Sequence, residues 1–492
     1  MVGQPHFAVA QSAMVDLTPT MPRTPPPSGP AQSPAKRLTP LPPRSALGPA
    51  GVRGAAPTHG AATAGDPYLP GNGNGGYLAL HYDLNLDYRV TTNQLRATAT
   101  VQARASMRLD RFSLDFDGLT VDRVTVDGVR ALKVSQSARK LTITVVATIE
   151  AGALFEVIVR YRGAPHPLKS IWGEVGWEEL DDGVLVAGQP TGSASWFPCN
   201  DHPSNKASFR IRVSCEDPYT VVANGTLIAR TTRSGRTSWT YEVKEPMATY
   251  LATVLIGRYR RTDATAAPVA QRIFFPANLA REVAVDFARL PEMISLFADR
   301  FGPYPFDAYS VVVTDDELEI PLEAHGLAIF GRNHVDGAHG SDRLIAHELA
   351  HQWFGNSLTV VRWQDIWLHE GFACYAEWLW AEAGGGPTAD ASAAVHRTEI
   401  EALPRDIVVG EPGPHDMFDD RVYKRGALAL HAVRRSLGDD AFFGAVRAYT
   451  RARRHGSITT EDLVEFLSVH TDSGEIRRIV DRWIYRSALP KL

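Results

Sequence analysis

Two histidines separated by one helical turn constrain this chain more than any other feature of its sequence. His347, Glu348 and His351 form an HExxH motif inside the segment SDRLIAHELAHQWFGN, which begins at Ser341. Four residues of an α-helix cover about 400° and roughly 6 Å, so the two histidines lie on one face. Both imidazoles can then bind one metal ion, and Glu348 projects beside them over the open position of the metal.

A third ligand has to come from another part of the chain, and Glu370 is the candidate. It follows His351 after eighteen intervening residues and lies in a second helical pattern, WQDIWLHEGFACYAEWLWAE. An HExxH motif alone can arise by chance, but chance rarely adds a second helix with a suitably placed glutamate. Two histidines and one glutamate leave a fourth tetrahedral position for water, which is typical of a catalytic site with one Zn²⁺ per chain.

This set of residues predicts hydrolytic chemistry. Zinc lowers the pKa of water toward neutrality and polarises a carbonyl group, and both effects favour amide hydrolysis. The attacking water must lose a proton, and Glu348 is the candidate general base because it is tethered on the same helical turn as the ligands. A hydrogen-bond donor opposite the metal should stabilise the charge that develops on the carbonyl oxygen.

Composition limits the classes of protein and partner. The 492 residues suggest two or three domains, and 44% hydrophobic residues are sufficient for sizeable cores. A net charge of −4 favours neither nucleic acid nor an acidic membrane as a partner. No apolar run is long enough to span a bilayer, and the N-terminus lacks the pattern of a secretory signal. Three widely spaced cysteines (Cys199, Cys215 and Cys374) indicate a reducing compartment, so we expect a cytoplasmic protein.

The chain divides into three segments of different character. Residues 1–65 are rich in Pro, Ala and Gly and predict a disordered tail. From 66 to 257, short alternating runs separated by DG, NG and RG turns predict an all-β sandwich or curved, saddle-like sheet. From 258 to 492, a few strands precede the two metal helices, and helical segments are expected at 390–402, 422–436, 440–453 and 459–487. This last pattern predicts an α+β catalytic domain.

At these motifs the sequence resembles the aminopeptidase N family of gluzincin zinc metallopeptidases. HELAHQWFGN and WLHEGFACYAE carry the resemblance at the metal site. It continues in WFPCNDHPSNKASF (196–209), VVANGTL (221–227), EPMATYLATVLIG (245–257), FGPYPF (301–306) and VYKRGALAL (422–430). The similar region extends from Asp66 to about Pro490. The resemblance implies an N-terminal β domain, a thermolysin-like catalytic domain, a zinc cofactor and peptide substrates.

The resemblance also implies roles for residues outside the zinc motif. Tyr423 of VYKRG would stabilise the oxyanion, although from the residue alone it could be an ordinary buried aromatic side chain. Glu323 lies where the family has an exopeptidase loop, and its carboxylate would bind the free α-amine of a substrate. The loop here reads Ile-Pro-Leu-Glu-Ala and continues to Gly326, which is a further substrate-binding candidate. It therefore lacks the glycine and asparagine of the Gly-Ala-Met-Glu-Asn pattern.

A second amine-binding position is expected in the β domain. Aligning Gly188, Gln189 and Pro190 with the family places Gln189 where many members have glutamate. An amide accepts a hydrogen bond from an ammonium group but contributes no countercharge, so we expect a weaker hold on the amine. Gln189 could equally be an ordinary loop residue at the end of a strand.

Two further acids are candidates for orienting the zinc histidines. Metal-bound imidazoles usually donate their other N–H group, and Asp365 or Glu377 could accept it. Glu377 is two turns beyond Glu370 on the same helical face. For both acids, an ordinary solvated side chain is the alternative. His369 is expected to face away from the metal because it is adjacent to the ligand Glu370 on the helix.

The resemblance to the family favours a zinc-dependent aminopeptidase. The terminal segment DRWIYRSALPKL resembles the end of the catalytic domain in the family, so we expect no closing C-terminal helical domain. Two other functions remain open: a zinc endopeptidase or other zinc hydrolase on the same fold, and a non-catalytic scaffold. N-terminally acetylated peptides distinguish the first alternative, because an aminopeptidase should reject them.

Overall fold

The computed structural model describes residues 58–137, 139–264, 269–469 and 473–491. Residues 1–57 of the predicted disordered tail lie outside the described residues. That predicted tail also includes residues 58–65, but these residues contact the β domain. The N–H group of Gly60 donates to the carbonyl of Arg111 at 2.8 Å, and the N–H group of Ala64 donates to the carbonyl of Asn72 at 3.0 Å. Composition does not encode such backbone hydrogen bonds, and we propose that the β domain begins near residue 58.

The first part of the described chain consists almost entirely of strands. In order they are β1 (Tyr77–Arg89), β2 (Gln94–Ala105), β3 (Leu109–Asp115), β4 (Thr120–Val126), β5 (Val129–Arg130), β6 (Lys133–Ser137), β7 (Lys140–Ile149), β8 (Leu154–Gly163), β9 (Leu168–Ser170), β10 (Gly173–Leu180), β11 (Gly183–Ala187), β12 (Lys206–Glu216), β13 (Thr220–Ala223), β14 (Thr226–Arg233), β15 (Arg236–Ala248) and β16 (Val254–Gly257).

These strands form three sheets around a shared apolar core. The eight-stranded sheet has the order β14-β15-β12-β1-β2-β8-β4-β5, and a three-stranded sheet has the order β3-β7-β6. The third sheet has five strands in the order β13-β16-β11-β10-β9. Strand β1 shows the expected alternation, because Tyr82, Leu84 and Leu86 are buried whereas Asn85 and Asp87 are exposed. The predicted β architecture of this region is confirmed.

The second part combines a five-stranded sheet with helices. Its elements are β17 (Tyr259–Ala264), β18 (Ala270–Pro276), α1 (Ala280–Asp286), α2 (Leu290–Phe301), β19 (Ala308–Val313), β20 (Leu322–Ala324), β21 (Leu327–Phe330), α3 (Asp342–Ala350), β22 (Thr359–Val360), α4 (Trp367–Ala383), α5 (Ala389–Glu401), α6 (Asp420–Leu437), α7 (Asp439–Ala452), β23 (Ser457–Ile458), α8 (Thr460–Ser468) and α9 (Ser473–Ile484).

The order of a β-rich region followed by an α+β region confirms the predicted fold class. The sheet of the second part has the order β17-β18-β19-β21-β20, and β18, β19 and β21 run parallel. Helices α1 and α2 are absent from the sequence prediction, although α2 buries Met293, Ile294 and Phe297 at helical spacing. The single helix expected over 459–487 is instead two, α8 and α9. Among the described residues, none of the helices has the length and apolar character needed to cross a bilayer.

We propose that the two domains divide at Arg258. Strand β16 ends at Gly257 and pairs within the five-stranded sheet of the first part, with Val221 opposite Ile256. Strand β17 begins at Tyr259 and pairs with β18 in the sheet of the second part. The chain therefore passes from the sheet of the first domain to the sheet of the second over a single residue, Arg258.

The two domains pack through a continuous apolar cluster. Leu185 and Leu255 of the first domain contact residues that include Leu318, Ala324 and Leu327 of the second. This contact places the end of β11 beside the β20–β21 hairpin. Burial of apolar side chains between the sheets thereby fixes the position of one domain relative to the other.

A buried lysine adds polar contacts between the domains. Lys206, at the start of β12, donates from Nζ to the carbonyls of Asn356 at 3.1 Å, Ser357 at 2.8 Å and Gly456 at 3.3 Å. Burial lowers the pKa of this lysine to about 7. Since Asn356 and Ser357 follow α3 directly, Lys206 connects the β domain to the segment that leaves the HExxH helix.

Helices α4 and α6 cross at a pair of glycines. A Cβ atom on Gly371 would lie 3.0 Å from the Cα of Gly426, and one on Gly426 would lie 2.9 Å from the Cα of Gly371. Both helices carry candidate site residues, Glu370 on α4 and Tyr423 on α6. The absence of side chains at the crossing therefore sets the distance between these two residues.

We predict that Gly371→Ala lowers the melting temperature and reduces the free energy of unfolding by about 1–3 kcal/mol, because the added methyl group forces the backbones apart. Thermal unfolding followed by circular dichroism measures the change. Gly444→Ala on α7 is the matched control, since the nearest atom to its Cβ is the Arg447 Nη2 at 4.0 Å. Alanine there should leave stability unchanged or raise it by up to about 1 kcal/mol. Equal melting temperatures for the two variants would contradict the close crossing.

Candidate active site

Two packed helices bring the predicted metal ligands together. Helix α3 presents His347 on its buried face and His351 directly at its C-terminal end, with ring centroids 4.8 Å apart. Helix α4 contributes Glu370 from its first turn, and this side chain is also fully buried. After α3 the chain turns at Gly355, whose φ of +132° favours glycine.

The donor atoms have the spacing that a tetrahedral ion requires. The Nε2 atoms of His347 and His351 each lie 3.5 Å from the Oε2 of Glu370. Bonds of about 2.0–2.2 Å to a tetrahedral zinc hold their donors roughly 3.4 Å apart. Both oxygens of Glu370 are buried, and no arginine or lysine of the described residues pairs with them. A buried carboxylate without a full countercharge is costly, and a cation at the centre of the three donors would remove that cost.

Each histidine is oriented through its second ring nitrogen. The Nδ1 of His347 lies 2.7 Å from the Glu377 Oε1, and the Nδ1 of His351 lies 3.0 Å from the carbonyl of Phe354. Both acceptors are oxygens that cannot donate, so Nδ1 carries the hydrogen and Nε2 keeps its lone pair for a metal. Arg343 donates to the second oxygen of Glu377 at 3.0 Å. Glu377 thus lies where it can accept a hydrogen bond from His347, which is the role that the sequence predicts for it.

The pKa values at these residues reflect burial opposed by charge. Burial lowers the pKa of His347, but the neighbouring Glu370 and Glu377 outweigh it and raise that pKa to about 10. Burial and the charge on His347 lower the pKa of His351 well below its usual value. Burial raises the pKa of Glu370, while His347 and Tyr423 act in the opposite direction. For Glu377, burial is outweighed by Arg343 and His347, and its pKa falls.

Glu348 lies beside the metal donors and is fully buried. Its Oε2 has no hydrogen-bond partner within the described part of the chain. Burial, together with the charges of Glu370 and Glu377 and against the opposing charge of His347, raises the pKa of this carboxyl to about 8. A carboxylate oxygen at this position can accept a proton from a water molecule between it and the metal.

Tyr423 is adjacent to the metal donors on the side of α6. Its ring lies 6.0 Å from the ring of His347, nearly parallel to it at 18°, and it lowers the pKa of Glu370. The side chain is 5% exposed, so its hydroxyl acts in a largely desolvated environment. The structure thus brings the predicted oxyanion donor to the metal cluster.

Glu323 and Gln189 meet across the domain boundary. The Nε2 of Gln189 donates to the Oε1 of Glu323 at 2.7 Å. A carboxylate oxygen of Glu323 also lies within 4.8 Å of ligand atoms of Glu348 and His351. Burial, followed by the charges of Glu348 and Glu370, raises the pKa of Glu323 well above its usual value. The two candidate amine-binding residues are therefore adjacent to each other and to the metal cluster.

The structure does not support Gly326 as a substrate-binding residue. Its N–H group donates to the Gln352 Oε1 at 2.9 Å, and its carbonyl accepts from the N–H group of Ser310 at 2.9 Å. Both backbone groups are thus used within the protein. Sequence reasoning does not identify Gln352, which follows the HExxH motif and holds the hairpin of Glu323 against α3.

Two other predictions concern residues near the ligands. Asp365 does not orient a zinc histidine, because its Oδ1 accepts a hydrogen bond from the Thr460 Oγ1 at 2.6 Å. It joins the start of α8 to the turn before α4. The Nε2 of His369 accepts from the N–H group of Val360 at 3.0 Å, in keeping with a non-ligating role.

Comparison with known protein families gives two matches along the chain. Residues 78–251 match the Peptidase M1 N-terminal domain, and residues 285–483 match the Peptidase family M1 domain. The first match covers the β domain, and the second contains the metal cluster and Tyr423.

Known proteins with similar sequences include several aminopeptidases. The chain is 23% identical over 447 residues to aminopeptidase 2 of Candida albicans, covering 84% of this chain and 47% of that protein. It is 26% identical over 426 residues to human endoplasmic reticulum aminopeptidase 1, covering 78% of this chain and 45% of that protein. The chain thus spans less than half the length of these two relatives.

A solved structure of similar length also matches. The M1 zinc metallopeptidase from Deinococcus radiodurans is 30% identical, with a TM-score of 0.80, and the match covers 87% of this chain and 99% of that one. A mutant of that enzyme has been solved with a Tyr-Ser-Ala substrate bound.

We predict that Glu377→Gln weakens zinc binding by about 10–100-fold, because an amide at this position is a poorer acceptor for the His347 N–H group. Competition with a zinc chelator of known affinity measures the change. Glu382→Gln is a control on the same helix, since Glu382 contacts Arg434 and not a metal ligand. An unchanged zinc affinity in Glu377→Gln would contradict the positioning role of Glu377.

Proposed function

The chain belongs to peptidase family M1, and we propose that it is a zinc-dependent aminopeptidase that releases the N-terminal residue of peptides. The position of Glu323 carries this proposal. Its carboxylate lies within 4.8 Å of ligand atoms of Glu348 and His351, and it faces them from the β20–β21 hairpin. A carboxylate at a fixed short distance from the reacting centre can bind a substrate amine only if that amine is one residue from the scissile bond.

The balance of charge supports the same conclusion. The buried Glu348 and Glu370 and the half-buried Glu323 bring three carboxylates together, and no arginine or lysine of the described residues pairs with any of them. Buried anions require cations nearby. A divalent metal among His347, His351 and Glu370, together with a substrate ammonium group at Glu323, would supply that charge. A substrate whose amine is acetylated would leave Glu323 without a countercharge.

Zinc at this position would supply the Lewis acid that activates water and polarises the scissile carbonyl. Glu348 would accept the proton of the attacking water and then deliver it to the leaving amine. Tyr423 would donate a hydrogen bond to the carbonyl oxygen as negative charge develops there. Glu323 would hold the α-amine, with Gln189 orienting its carboxylate. Glu377 would fix the ring of His347.

Gln189 makes this amine site different from a site in which two acidic residues bind the amine. Its Nε2 donates to Glu323, so its Oε1 is the atom that can accept from a substrate ammonium. One full negative charge, that of Glu323, then faces the amine. We propose that the site retains its preference for a free N-terminus but binds the amine less tightly than a pair of carboxylates would.

A cytoplasmic location is part of the same proposal. The three cysteines are unpaired and buried, as expected of a protein that folds in a reducing compartment.

The function is tested by measuring kcat/KM on a panel of aminoacyl fluorogenic amides beside their N-acetylated counterparts. We expect turnover of the free-amine set alone, lost when zinc is removed with a chelator and restored when zinc is returned. The acetylated set controls for endopeptidase activity. Turnover of acetylated substrates at a similar rate would establish an endopeptidase and remove the role given to Glu323. Zinc-loaded protein that is inactive on both sets would establish a non-catalytic scaffold.

We further predict that Glu348→Gln retains zinc while kcat falls by about 10²–10⁴-fold, because glutamine keeps the shape of the side chain but cannot accept the proton. Metal analysis and steady-state kinetics on a free-amine substrate measure the two quantities separately. Glu319→Gln, an exposed acid in the loop before β20, controls for the loss of one negative charge. A near-normal kcat in Glu348→Gln would exclude Glu348 as the base.

A further inference from the structure

The β20–β21 hairpin carries Glu323 at the edge of the catalytic sheet. Strand β20 is the last strand in the sheet order, and its residues pair with β21 over Leu322–Ala324. Ala324 ends β20, and the chain turns through His325 and Gly326; we call these three residues the hairpin turn. A short hairpin at a sheet edge has few sheet hydrogen bonds of its own. The position of Glu323 relative to the metal cluster therefore depends on what holds the hairpin turn.

Two buried amides that follow helix α3 bind the hairpin turn. The Nδ2 of Asn356 donates to the carbonyl of Ala324 at 2.8 Å. The Nε2 of Gln352 donates to the same carbonyl at 3.3 Å, and its Oε1 accepts from the N–H group of Gly326 at 2.9 Å. Both side chains are fully buried. Because both residues follow His351 closely in the chain, these bonds join the hairpin turn to the metal site.

A third buried amide reaches the hairpin turn from the β domain. Asn224 lies between β13 and β14, and its Nδ2 donates to the carbonyls of His325 at 3.1 Å and Leu251 at 2.9 Å. Its Oδ1 accepts from the N–H group of Thr253 at 2.6 Å, so the amide is oriented by its own domain. Asn224 is fully buried. Side chains from both domains therefore hold the backbone of the hairpin turn.

The side chain of Asn356 has one hydrogen-bond partner, Ala324, within the described part of the chain. Its Oδ1 is buried and has no partner there. The backbone carbonyl of Asn356 accepts from the Lys206 Nζ at 3.1 Å, which ties this segment to the β domain. Since a buried amide oxygen without a partner is unfavourable for folding, the bond to Ala324 is the contribution that this side chain makes.

Amides can hold the hairpin turn without changing the charge at Glu323. A lysine or arginine at these three positions would pair with the Glu323 carboxylate and compete with the amine of a substrate. Asparagine and glutamine donate to the backbone carbonyls and add no charge. The carboxylate of Glu323 therefore stays available to a cation from outside the protein.

We propose that Asn224, Gln352 and Asn356 are positioning residues for the amine site. By fixing the hairpin turn, they hold Glu323 at the distance from the metal at which its carboxylate binds the α-amine of the first substrate residue. The inference rests on the proposed aminopeptidase function. The three amides contact the backbone of the turn and act on the substrate through Glu323, so their loss should weaken amine binding while the metal site keeps its affinity.

The test compares two zinc-binding ligands that differ only in the amine. Leucine hydroxamate carries the α-amine, and 4-methylpentanoyl hydroxamate is the same molecule without it. Calorimetry on the zinc-loaded protein gives both dissociation constants without requiring turnover. The wild type should bind the amine-containing ligand about 10–100-fold more tightly. In Asn224→Ala and in Asn356→Ala this preference should fall by about 5-fold or more, while the affinity for the amine-free ligand stays unchanged.

Asn205→Ala is the matched control. Asn205 is a buried amide that bonds to the N–H group of Ala79 at 3.1 Å and to its carbonyl at 2.9 Å, within the β domain. This variant should keep the wild-type preference. Loss of folded protein lowers the binding stoichiometry and leaves the preference unchanged. Because Asn224 and Asn356 belong to different domains, either variant carries the test if the other fails to fold.

The wild-type preference in both variants would overturn this inference alone. Equal weakening of both ligands would also overturn it, because the amides would then support the metal site and not the amine site. A loss of preference in Asn205→Ala as large as in the two variants would do the same. A wild-type protein that binds the two ligands equally would remove the role of Glu323, and with it the proposed function.

Discussion

Burial of several carboxylates around two histidines is the constraint on which the site depends. Glu323, Glu348 and Glu370 lie close to one another, and no arginine or lysine of the described residues pairs with them. Such an arrangement is stable only when cations occupy it or when protons neutralise it. Glu377 shows the contrasting case, because Arg343 compensates its charge within the protein. The uncompensated acids are those that face the metal and the substrate, whereas the compensated acid lies behind a ligand.

The residues that hold these acids in position depend on contacts between the two domains. Gln189 comes from the β domain and Glu323 from the catalytic domain, so their hydrogen bond exists only when the domains are packed. Lys206 joins the β domain to the segment after α3, and Gln352 joins α3 to the hairpin of Glu323. The metal ligands, by contrast, lie on α3 and α4 alone. The metal site is thus a property of one domain, and the amine site is a property of the assembly of both.

This division explains how much could be predicted from the sequence. His347, His351 and Glu348 are set by helical periodicity, and the order of a β-rich region followed by an α+β region follows from the local patterns. The contact between Gln189 and Glu323 depends on how two sheets pack, which no local pattern encodes. The same holds for Gly326 and Asp365, whose partners lie elsewhere in the chain. Helix α2 is different, because its apolar residues recur at helical spacing. That pattern is local, so the helix was open to prediction from the sequence.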